Sequence, residues 1–551
     1  MKKNNIPAGS IIALMLLAFF SIKVAAQSSP EAGSDAVSKV WVADNGDGTY
    51  KNPILHADYS DPDAVRVGDD FYMTASSFNA APGLPILHSK DLVNWRLINY
   101  VFVKQPPFNV FDKPQHGGGV WAPSIRFHNG EYYIYYPDPD HGIYVTKAKN
   151  PAGEWSEPLL IKEAKGWIDP SPLWDDDGKA YLVSAFAGSR AGIKTILVVS
   201  RMSTDGMRLL GDPVMVFDGH QAHPTVEGPK FYKRNGYYYI FAPAGGVSTG
   251  WQLILRSKNI FGPYEEKISL AQGKTAINGP HQGAWVNTKT GEDWFLHFQD
   301  KGAYGRIVHL QPMRWVNDFP VMGIDADGDG TGEPVLRHKK PDVGRTYSIA
   351  TPPESDEFNS PELGLQWQWH ANHQPTWAFL YPPKGVLKMF SVQQAENHKN
   401  LWDVPNLLLQ KFPAEKFTVT AKVTLAPRFE GEKFGLIVMG LDYSYIGVTN
   451  RAGKLSVSQT SVQNADKGTP ETESSALELK DKTFYLRVRV EEGAMCRFSY
   501  STDGKSFTPV GAPFKAREGK WIGAKVGLFF TRAGKFNDAG SADVDWFRIE
   551  Q

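Results

Sequence analysis

Apolar and polar positions follow one pattern that returns five times before residue 300. Each copy has a short apolar run, a glycine-containing turn and an aromatic or β-branched run, which is the pattern of a β-hairpin. The five copies occupy residues 61–75, 121–136, 169–186, 227–241 and 281–298. Repeats of about 40 to 60 residues that hold short strands are typical of β-propellers. The pattern therefore predicts a five-bladed β-propeller over residues 49–340.

The same register places chemically interesting residues at equivalent points of the repeats. When the copies are aligned on the apolar residue that opens each hairpin, the positions four residues earlier are Asp61, Trp121, Asp169, Glu227 and His281. Equivalent positions at the starts of inner strands surround the propeller axis, so these side chains should meet in one funnel. Three acids desolvated together have pKa values pushed apart, which suits acid and base roles. An acid before Pro or Gly also commonly caps a turn, but three in one register favour function.

A second domain is predicted after residues 339–353, which lack a strand period and carry Lys, Pro, Gly and Thr. Beyond them the chain is a succession of strands, with clear alternation in 417–425 and 485–489. This pattern predicts a two-sheet β-sandwich over residues 352–551, so the fold class is all-β. The run Trp367, Trp369, Trp377, Phe379 and Tyr381 is expected either to bury against the propeller or substrate entrance, or to pack inside the sandwich.

The N-terminus predicts export. Lys2 and Lys3, an apolar run over 11–22 and small residues at 24–26 are typical of a signal peptide over residues 1–26, cleaved after Ala26. No cysteine follows that site to carry a lipid, and no later stretch reaches the roughly 18 apolar residues of a membrane span. We expect an exported protein, periplasmic or secreted, without a membrane anchor. Residues 27–48 are polar and are expected to form a linker.

The composition argues against several other classes of protein. The 59 basic and 59 acidic residues balance and form no basic block, which argues against nucleic-acid binding. The single Cys496 excludes intramolecular disulfides. Residues 325–333, DADGDGTGE, resemble the start of a calcium loop, but Leu336 stands where a bidentate Glu is needed. We expect a Gly/Asp turn there, with a weak surface calcium site as the alternative.

Several segments together resemble glycoside hydrolase family 43, whose members have a five-bladed propeller and act on pentose-containing plant polysaccharides. The matching segments are NPILHADYSDPDAVRVGDDFYMTASSF, HSKDLVNWRLI, GGGVWAPSIRFHNGEYYIYY, GWIDPSPLWDDDGKAYLV, VEGPKFYKRNGYYYIF, NGPHQGAWV and GRIVHLQPMRW. The last domain is similar to the lectin-like sandwich, a jelly roll, found at the C-terminus of many xylosidase and arabinofuranosidase members. In such members it packs beside the active-site funnel and can send a loop toward it.

The resemblance implies roles for the three acids. Asp61 resembles the general base, Glu227 the general acid, and Asp169 the residue that tunes and orients the acid. The family inverts the anomeric carbon, and inverting carboxyls lie roughly 6.5 to 9.5 Å apart to leave room for a water. No cofactor is required for that chemistry.

Three further positions match the family pattern. Arg306 resembles the arginine that reaches substrate hydroxyls, and Trp121 the aromatic residue lining the pocket, unless it only packs at a blade entrance. His281 resembles the axial histidine that helps hold a structural calcium through waters; the alternative is a core histidine bonded to Gln282 or to water.

The sequence leaves three functions open. The leading hypothesis is an exo-acting hydrolase that releases terminal α-L-arabinofuranose from plant hemicellulose. The close alternative is a β-D-xylosidase, or an enzyme with both activities. A carbohydrate-binding protein without catalysis is the third, and the intact set Asp61, Asp169 and Glu227 argues against it.

Overall fold

The computed structural model describes Met1 and residues 37–551. The predicted signal peptide, apart from Met1, and residues 27–36 of the predicted linker lie outside the described residues. Within the described part of the chain, no helix has the length and apolar character needed to cross a membrane. The secondary structure there is almost entirely strand, which confirms the all-β prediction.

Residues 63–322 form five four-stranded antiparallel sheets, each built from one continuous stretch of chain, and this confirms the five-bladed propeller. From the innermost strand outward, the blades consist of Asp63–Val67, Asp70–Thr74, Gly83–Ser89 and Trp95–Phe102 (blade 1); Ser124–His128, Glu131–Asp138, Gly142–Ala148 and Leu159–Glu163 (blade 2); Trp167–Trp174, Ala180–Phe186, Ile196–Met202 and Leu209–Asp218 (blade 3); Lys230–Arg234, Tyr237–Ala244, Trp251–Ser257 and Glu265–Leu270 (blade 4); and His281–Asn287, Asp293–Asp300, Arg306–Val316 and Phe319–Met322 (blade 5).

The predicted hairpins are the two inner strands of each blade. In blade 4, Phe231 pairs with Ile240 across a turn at Asn235 and Gly236. Both turn residues have positive φ, 49° and 75°, as a type I′ turn requires. Inward-facing aliphatic and aromatic residues then pack between neighbouring blades, as Ile240 does against blade 3. The alternating apolar residues of the hairpins thus form a series of hydrophobic cores between the blades.

The ring is closed by pairing of segments that flank the blades. Thr49–Lys51 pairs antiparallel with Arg337–Lys339, and Leu55 forms an isolated bridge with Val308. The described part of the predicted linker is also packed, because Val40 and Ala43 are buried and Ser38 bonds to Thr351 and Glu354. Residues 37–48 are therefore part of the folded unit, a difference from the expectation of a free linker.

The C-terminal domain is a sandwich of two mostly antiparallel sheets. One contains, in spatial order, Gln368–Trp369, Leu407–Lys411, Lys525–Arg532, Lys433–Met439, Tyr443–Arg451, Lys454–Val462 and Thr472–Glu473, with Val392–Gln393 and Leu477–Leu479 attached. The other contains Ala378–Tyr381, Val386–Phe390, Ser541–Glu550, Phe417–Ala426, Thr483–Glu491, Met495–Ser501 and Thr508–Pro509, with Phe514–Lys515 attached. The described helices are single turns at Phe108–Phe111, Gly188–Ala191, Gly302–Tyr304, Leu401–Asp403, Ala465–Lys467 and Glu492–Ala494.

The aromatic run at the start of the sandwich divides between two environments. Trp367 and Trp377 lie in the sandwich core, whereas Phe379 and Tyr381 are 48% and 42% exposed. Trp369 reaches the propeller, where its backbone pairs with that of Ala81. Packing inside the sandwich therefore accounts for most of this run.

The two domains nevertheless dock closely. Tyr304 of the propeller is 5% exposed and belongs to the sandwich core. Asn372 of the sandwich makes two hydrogen bonds to the backbone of Gln105 and one to the carbonyl of Phe111. His116 stacks on Trp402 with ring centroids 3.4 Å apart. The second domain is consequently held against the propeller by buried polar and aromatic contacts.

Candidate active site

The five positions found by the repeat register all lie at the beginnings of inner strands. Asp61, Trp121 and Glu227 precede the inner strands of blades 1, 2 and 4, while Asp169 is the third residue of the inner strand of blade 3 and His281 the first of that in blade 5. The backbone N–H of Gly228, next to Glu227, donates to Asp169 Oδ2 at 2.7 Å, and the negative charges of Asp169 and Asp61 both raise the pKa of Glu227. The structure therefore brings the three carboxylates together, although they are far apart in sequence.

Asp61 is held by three side chains. Its φ of 54° lies in the left-handed region, which a non-glycine residue adopts only when its surroundings enforce it. Oδ2 accepts hydrogen bonds from Ser76 at 2.6 Å and Ser60 at 3.1 Å, and Oδ1 accepts one from Nη1 of Arg306 at 3.0 Å. The residue is 6% exposed. These bonds fix the orientation of the Asp61 carboxylate in the funnel.

Asp169 has nearly the same backbone conformation, with a φ of 55°. Its Oδ2 accepts a hydrogen bond of 2.7 Å from the backbone N–H of Gly228. Burial raises the pKa of Asp169, and the charge of Asp61 raises it further, while the Gly228 bond opposes both. The carboxylate is thereby attached to the residue that follows Glu227.

Glu227 is the most accessible of the three, with 27% of its side chain exposed. Its pKa is raised, first by burial and then by the negative charge of Asp169. Because two buried carboxyls repel each other when both are ionised, one of them retains a proton to higher pH. The Gly228 N–H stabilises the ionised form of Asp169, so the geometry favours a proton on Glu227.

Beneath the carboxylates, a chain of buried ionic groups joins the blades. Asp63 pairs with Arg126 at 2.5 Å, and Arg126 donates to Ser171 Oγ at 3.0 Å. The fully buried Lys230 donates to the carbonyl of Pro123 and the hydroxyl of Ser124. These bonds cross four blades, so they fix the relative positions of the strands that carry the three acids.

Arg306 and Trp121 line the same funnel. The guanidinium of Arg306 bonds to Asp61 and lies 4.9 Å from the ring centroid of Phe298. The indole of Trp121 donates to the carbonyl of Gly117 at 2.9 Å and remains half-buried, with Arg190 over its ring at 5.2 Å. Arg306 thus contacts the predicted base directly, a pairing that the sequence did not indicate.

His281 is 1% exposed, and burial lowers its pKa to about 3, so the ring is neutral. Its Nε2 lies 3.6 Å from Oε1 of Glu227, and neither ring nitrogen has a hydrogen-bond partner among the described residues. Calcium prefers six to eight oxygen ligands. A neutral imidazole supplies none, so these residues do not form a direct calcium site, and calcium held through waters stays a prediction.

The acidic loop at 325–333 follows blade 5. The carboxylate oxygens of Asp325, Asp327 and Asp329 lie within 4.8 Å of one another. However, Asp325 already bonds to Arg314 and to the backbone N–H groups of Gly328 and Gly330. The loop is closed by its own turn bonds, as the expected Gly/Asp turn would be.

One residue of the funnel comes from the sandwich and was missed in the sequence. Trp521 stands in the loop 517–523, is 44% exposed, and has its ring 6.4 Å from that of Trp121 and 5.9 Å from the guanidinium of Arg306. The preceding Lys520 packs so closely on Gly117 that a Cβ there would lie 2.5 Å from its Cγ. This loop therefore spans the funnel from Arg306 to Trp121. No local signal marks it, because the contact depends on how the domains dock.

Comparisons with known proteins identify both domains. A family model described as glycosyl hydrolases family 43 matches residues 50–320, and one described as the beta xylosidase C-terminal Concanavalin A-like domain matches residues 355–550. A beta-xylosidase of Formosa agariphila is 33% identical over 588 residues, which cover 98% of this chain and 97% of that protein. A non-reducing end alpha-L-arabinofuranosidase of Bacteroides ovatus is 28% identical over 531 residues, which cover 91% and 94%.

Solved structures extend the likeness to both domains. The crystal structure of a xylan beta-1,4-xylosidase from Bacillus halodurans superimposes with a TM-score of 0.80 at 25% identity, covering 91% of this chain and all of that one. The two family models and the near full-length relative at 33% identity agree on one assignment. The chain belongs to glycosyl hydrolase family 43, and it is a glycoside hydrolase whose propeller is followed by a Concanavalin A-like domain.

Proposed function

We propose that the protein is an exo-acting β-D-xylosidase that inverts the anomeric carbon and acts on plant hemicellulose. The observation that carries this proposal is the convergence of Asp61, Asp169 and Glu227 in a funnel closed on one side by Trp521. The β-xylosidases among the relatives favour xylose over arabinofuranose, the sugar that the leading sequence-based hypothesis predicts.

The residues divide the chemistry between two sides of the sugar. Asp61 Oδ1 accepts one bond from Arg306 and keeps lone-pair capacity for a water molecule. That water attacks the anomeric carbon and gives its proton to Asp61, while Glu227 protonates the leaving oxygen. Asp169, bonded to Gly228, keeps the acid oriented and protonated. Asp61 and Glu227 belong to non-adjacent blades, which leaves room for the water.

The funnel also supports exo action. Trp521 and Lys520 cross from the sandwich to blade 2 beside Trp121, so they block the continuation of an open groove. A pocket blocked on one side admits a chain end more readily than the interior of a polymer. Among the described residues, the side-chain hydrogen bonds of Arg306 all use Nη1, so its other nitrogens can donate to sugar hydroxyls.

A second candidate is α-L-arabinofuranosidase activity, because the Bacteroides ovatus relative carries that name. Initial rates on nitrophenyl β-D-xylopyranoside and nitrophenyl α-L-arabinofuranoside test both. We expect the xyloside to be cleaved faster, and a faster arabinofuranoside would reverse the order. Binding without cleavage of either would favour the carbohydrate-binding alternative. Proton NMR of the first-formed sugar tests inversion, since retention would make Asp61 a nucleophile.

Location and metal content extend the proposal. Export rests on the sequence of residues 1–26, and N-terminal sequencing of the native protein should begin at Gln27. If a calcium ion is held through waters near His281, adding calcium should raise the melting temperature of the protein. An unchanged melting temperature after chelation would contradict the calcium hypothesis.

A further inference from the structure

A buried carboxylate lies where the propeller meets the sandwich. Asp58 is 4% exposed and stands three residues before Asp61. Its Oδ1 accepts a hydrogen bond of 2.9 Å from the backbone N–H of Arg306, and its Oδ2 accepts one of 3.0 Å from the backbone N–H of Gly523. Arg306 holds Asp61, and Gly523 follows Trp521 by two residues. One side chain thus fixes the backbone at two walls of the funnel.

The residues around Asp58 are closely packed. A Cβ at Gly305, whose φ is 75°, would lie 2.6 Å from Asp58 Cγ. A Cβ at Gly523 would lie 2.7 Å from the backbone nitrogen of Gly305. Next to this contact, the N–H of Ala524 donates to the carbonyl of Ala303 at 2.7 Å. The loop of the sandwich and the segment before Arg306 therefore touch backbone to backbone.

The same segment is anchored again on its other side. The hydroxyl of Tyr304 donates to the carbonyl of Glu415 at 3.0 Å and accepts from the N–H of Ala494 at 2.8 Å. Both partners belong to the sandwich. Residues 303–306 are thus tied to the sandwich at Tyr304 and to the catalytic carboxylate at Arg306, so a shift of the sandwich is transmitted to Arg306.

We propose that Asp58 is a positioning residue of the active site, which couples the sandwich loop 517–523 to the Arg306–Asp61 pair. It acts through Arg306 and Trp521. The coupling makes the second domain part of the machinery that places the sugar, whereas a purely structural Asp58 would only stabilise the joint. The kinetic part of this inference rests on the proposed function, because it needs a substrate that the protein cleaves.

The surroundings of Asp58 are consistent with a charged group. Lys525 is buried and Lys411 is half-buried at the same joint, and desolvation lowers the pKa of each, that of Lys525 to about 7. The negative charge of Asp58 raises both pKa values. An uncharged residue at this position would leave the two lysines without that compensation.

The test compares Asp58→Asn with a matched control elsewhere in the propeller. The amide NH₂ cannot accept a hydrogen bond, so one of the two backbone N–H groups loses its partner. The control is Asp91→Asn, which changes a carboxyl that is 2% exposed and accepts the N–H groups of Val93 and Asn94 at 3.0 and 2.8 Å. Both variants remove one buried charge, and only the first touches the funnel.

Three measurements are made on the full-length protein. For Asp58→Asn we expect kcat/KM on xylobiose to fall by about 100-fold, the size of effect that misplacement by about 1 Å produces. The alkaline limb of its pH profile should move to higher pH, because Arg306 lowers the pKa of Glu227 and a displaced Arg306 lowers it less. Hydrogen exchange should increase in the peptides covering 303–306 and 517–524. Asp91→Asn should lose stability with an unchanged pH profile and unchanged exchange in those peptides.

The proposal would be overturned if Asp58→Asn had the same kinetics, pH profile and hydrogen exchange as Asp91→Asn. If Asp58→Asn does not fold, Gly523→Ala is used as the second variant. The added Cβ displaces the loop, and the substitution removes no carboxylate. Unchanged turnover and exchange in Gly523→Ala would also overturn it. The exchange measurement needs no substrate, so a wild type inactive on both nitrophenyl glycosides would refute the proposed function and leave the coupling to be decided by exchange.

Discussion

Replacement of Asp169 by Asn separates the two causes that raise the pKa of Glu227. The substitution removes a negative charge and preserves the side-chain shape. The amide oxygen can still accept the Gly228 N–H, which donates to Asp169 Oδ2 at 2.7 Å. Burial is the larger cause of the raised pKa and the charge of Asp169 the next. The variant should therefore lower the pKa of Glu227 while leaving it above the ordinary value of 4.5.

The sign and size follow from the role of the acid. In the proposed role of general acid Glu227 must be protonated, so activity should be present below its raised pKa and lost as pH rises through that value. Removal of a neighbouring negative charge lowers the pKa of a buried carboxyl by about one pH unit or more. One unit corresponds to about 1.4 kcal/mol. The alkaline limb of kcat/KM should move to lower pH by about one unit. Above that limb the variant should lose about a further tenfold of activity.

Xylobiose is the substrate for this assay, because its leaving oxygen needs a proton whereas nitrophenolate leaves without much help. Asp91→Asn serves again as the control, since it removes a buried carboxyl charge that is not among the causes of the Glu227 shift. An alkaline limb that stays in place in Asp169→Asn, or that moves to higher pH, would refute the electrostatic argument.

The remaining predictions concern the acid, the sandwich loop and the domain joint. Glu227→Gln should lower kcat on xylobiose by about 10² to 10⁴-fold without loss of folding, and activity within a few-fold of wild type would remove Glu227 from the acid role. Trp521→Ala should raise KM more than it lowers kcat, because Trp521 is 44% exposed and touches the funnel only through its ring; unchanged KM would separate it from the substrate. A chain that ends at Tyr347 should aggregate or melt earlier, because Tyr304 and Ile307 lose their cover at about 25 cal/mol per Å², and a stable, fully active propeller would contradict this.

The repeat register could be predicted because it depends on local chemistry. A hairpin needs alternation and a turn, and both are visible in segments such as the one around Asn235 and Gly236. The register then places Asp61, Asp169 and Glu227 at equivalent strand beginnings, and closure of the ring brings them together whatever the loop lengths are.

The contacts between domains could not be predicted in the same way. Trp521, Tyr304 and Asp58 are unremarkable in sequence, and each has at least one partner in the other domain. By contrast, the aromatic run after residue 366 attracted attention, yet Phe379 and Tyr381 are exposed. Aromatic density reports burial in general, but it does not specify which surface is buried.

The backbone at the three acids explains why the chain uses two aspartates and one glutamate. Asp61 and Asp169 adopt the left-handed backbone conformation, with positive φ. This conformation costs a non-glycine residue roughly 1 to 3 kcal/mol. Each is compensated by bonds to its carboxylate, from Ser76 and Arg306 in one case and from Gly228 in the other. At the third position Gly228 takes the positive φ instead, 58°, where a Cβ would lie 2.7 Å from the side chain of Gln282. Glu227 thus keeps an ordinary backbone, and its longer side chain is the most exposed of the three, which suits the proposed protonation of a leaving group.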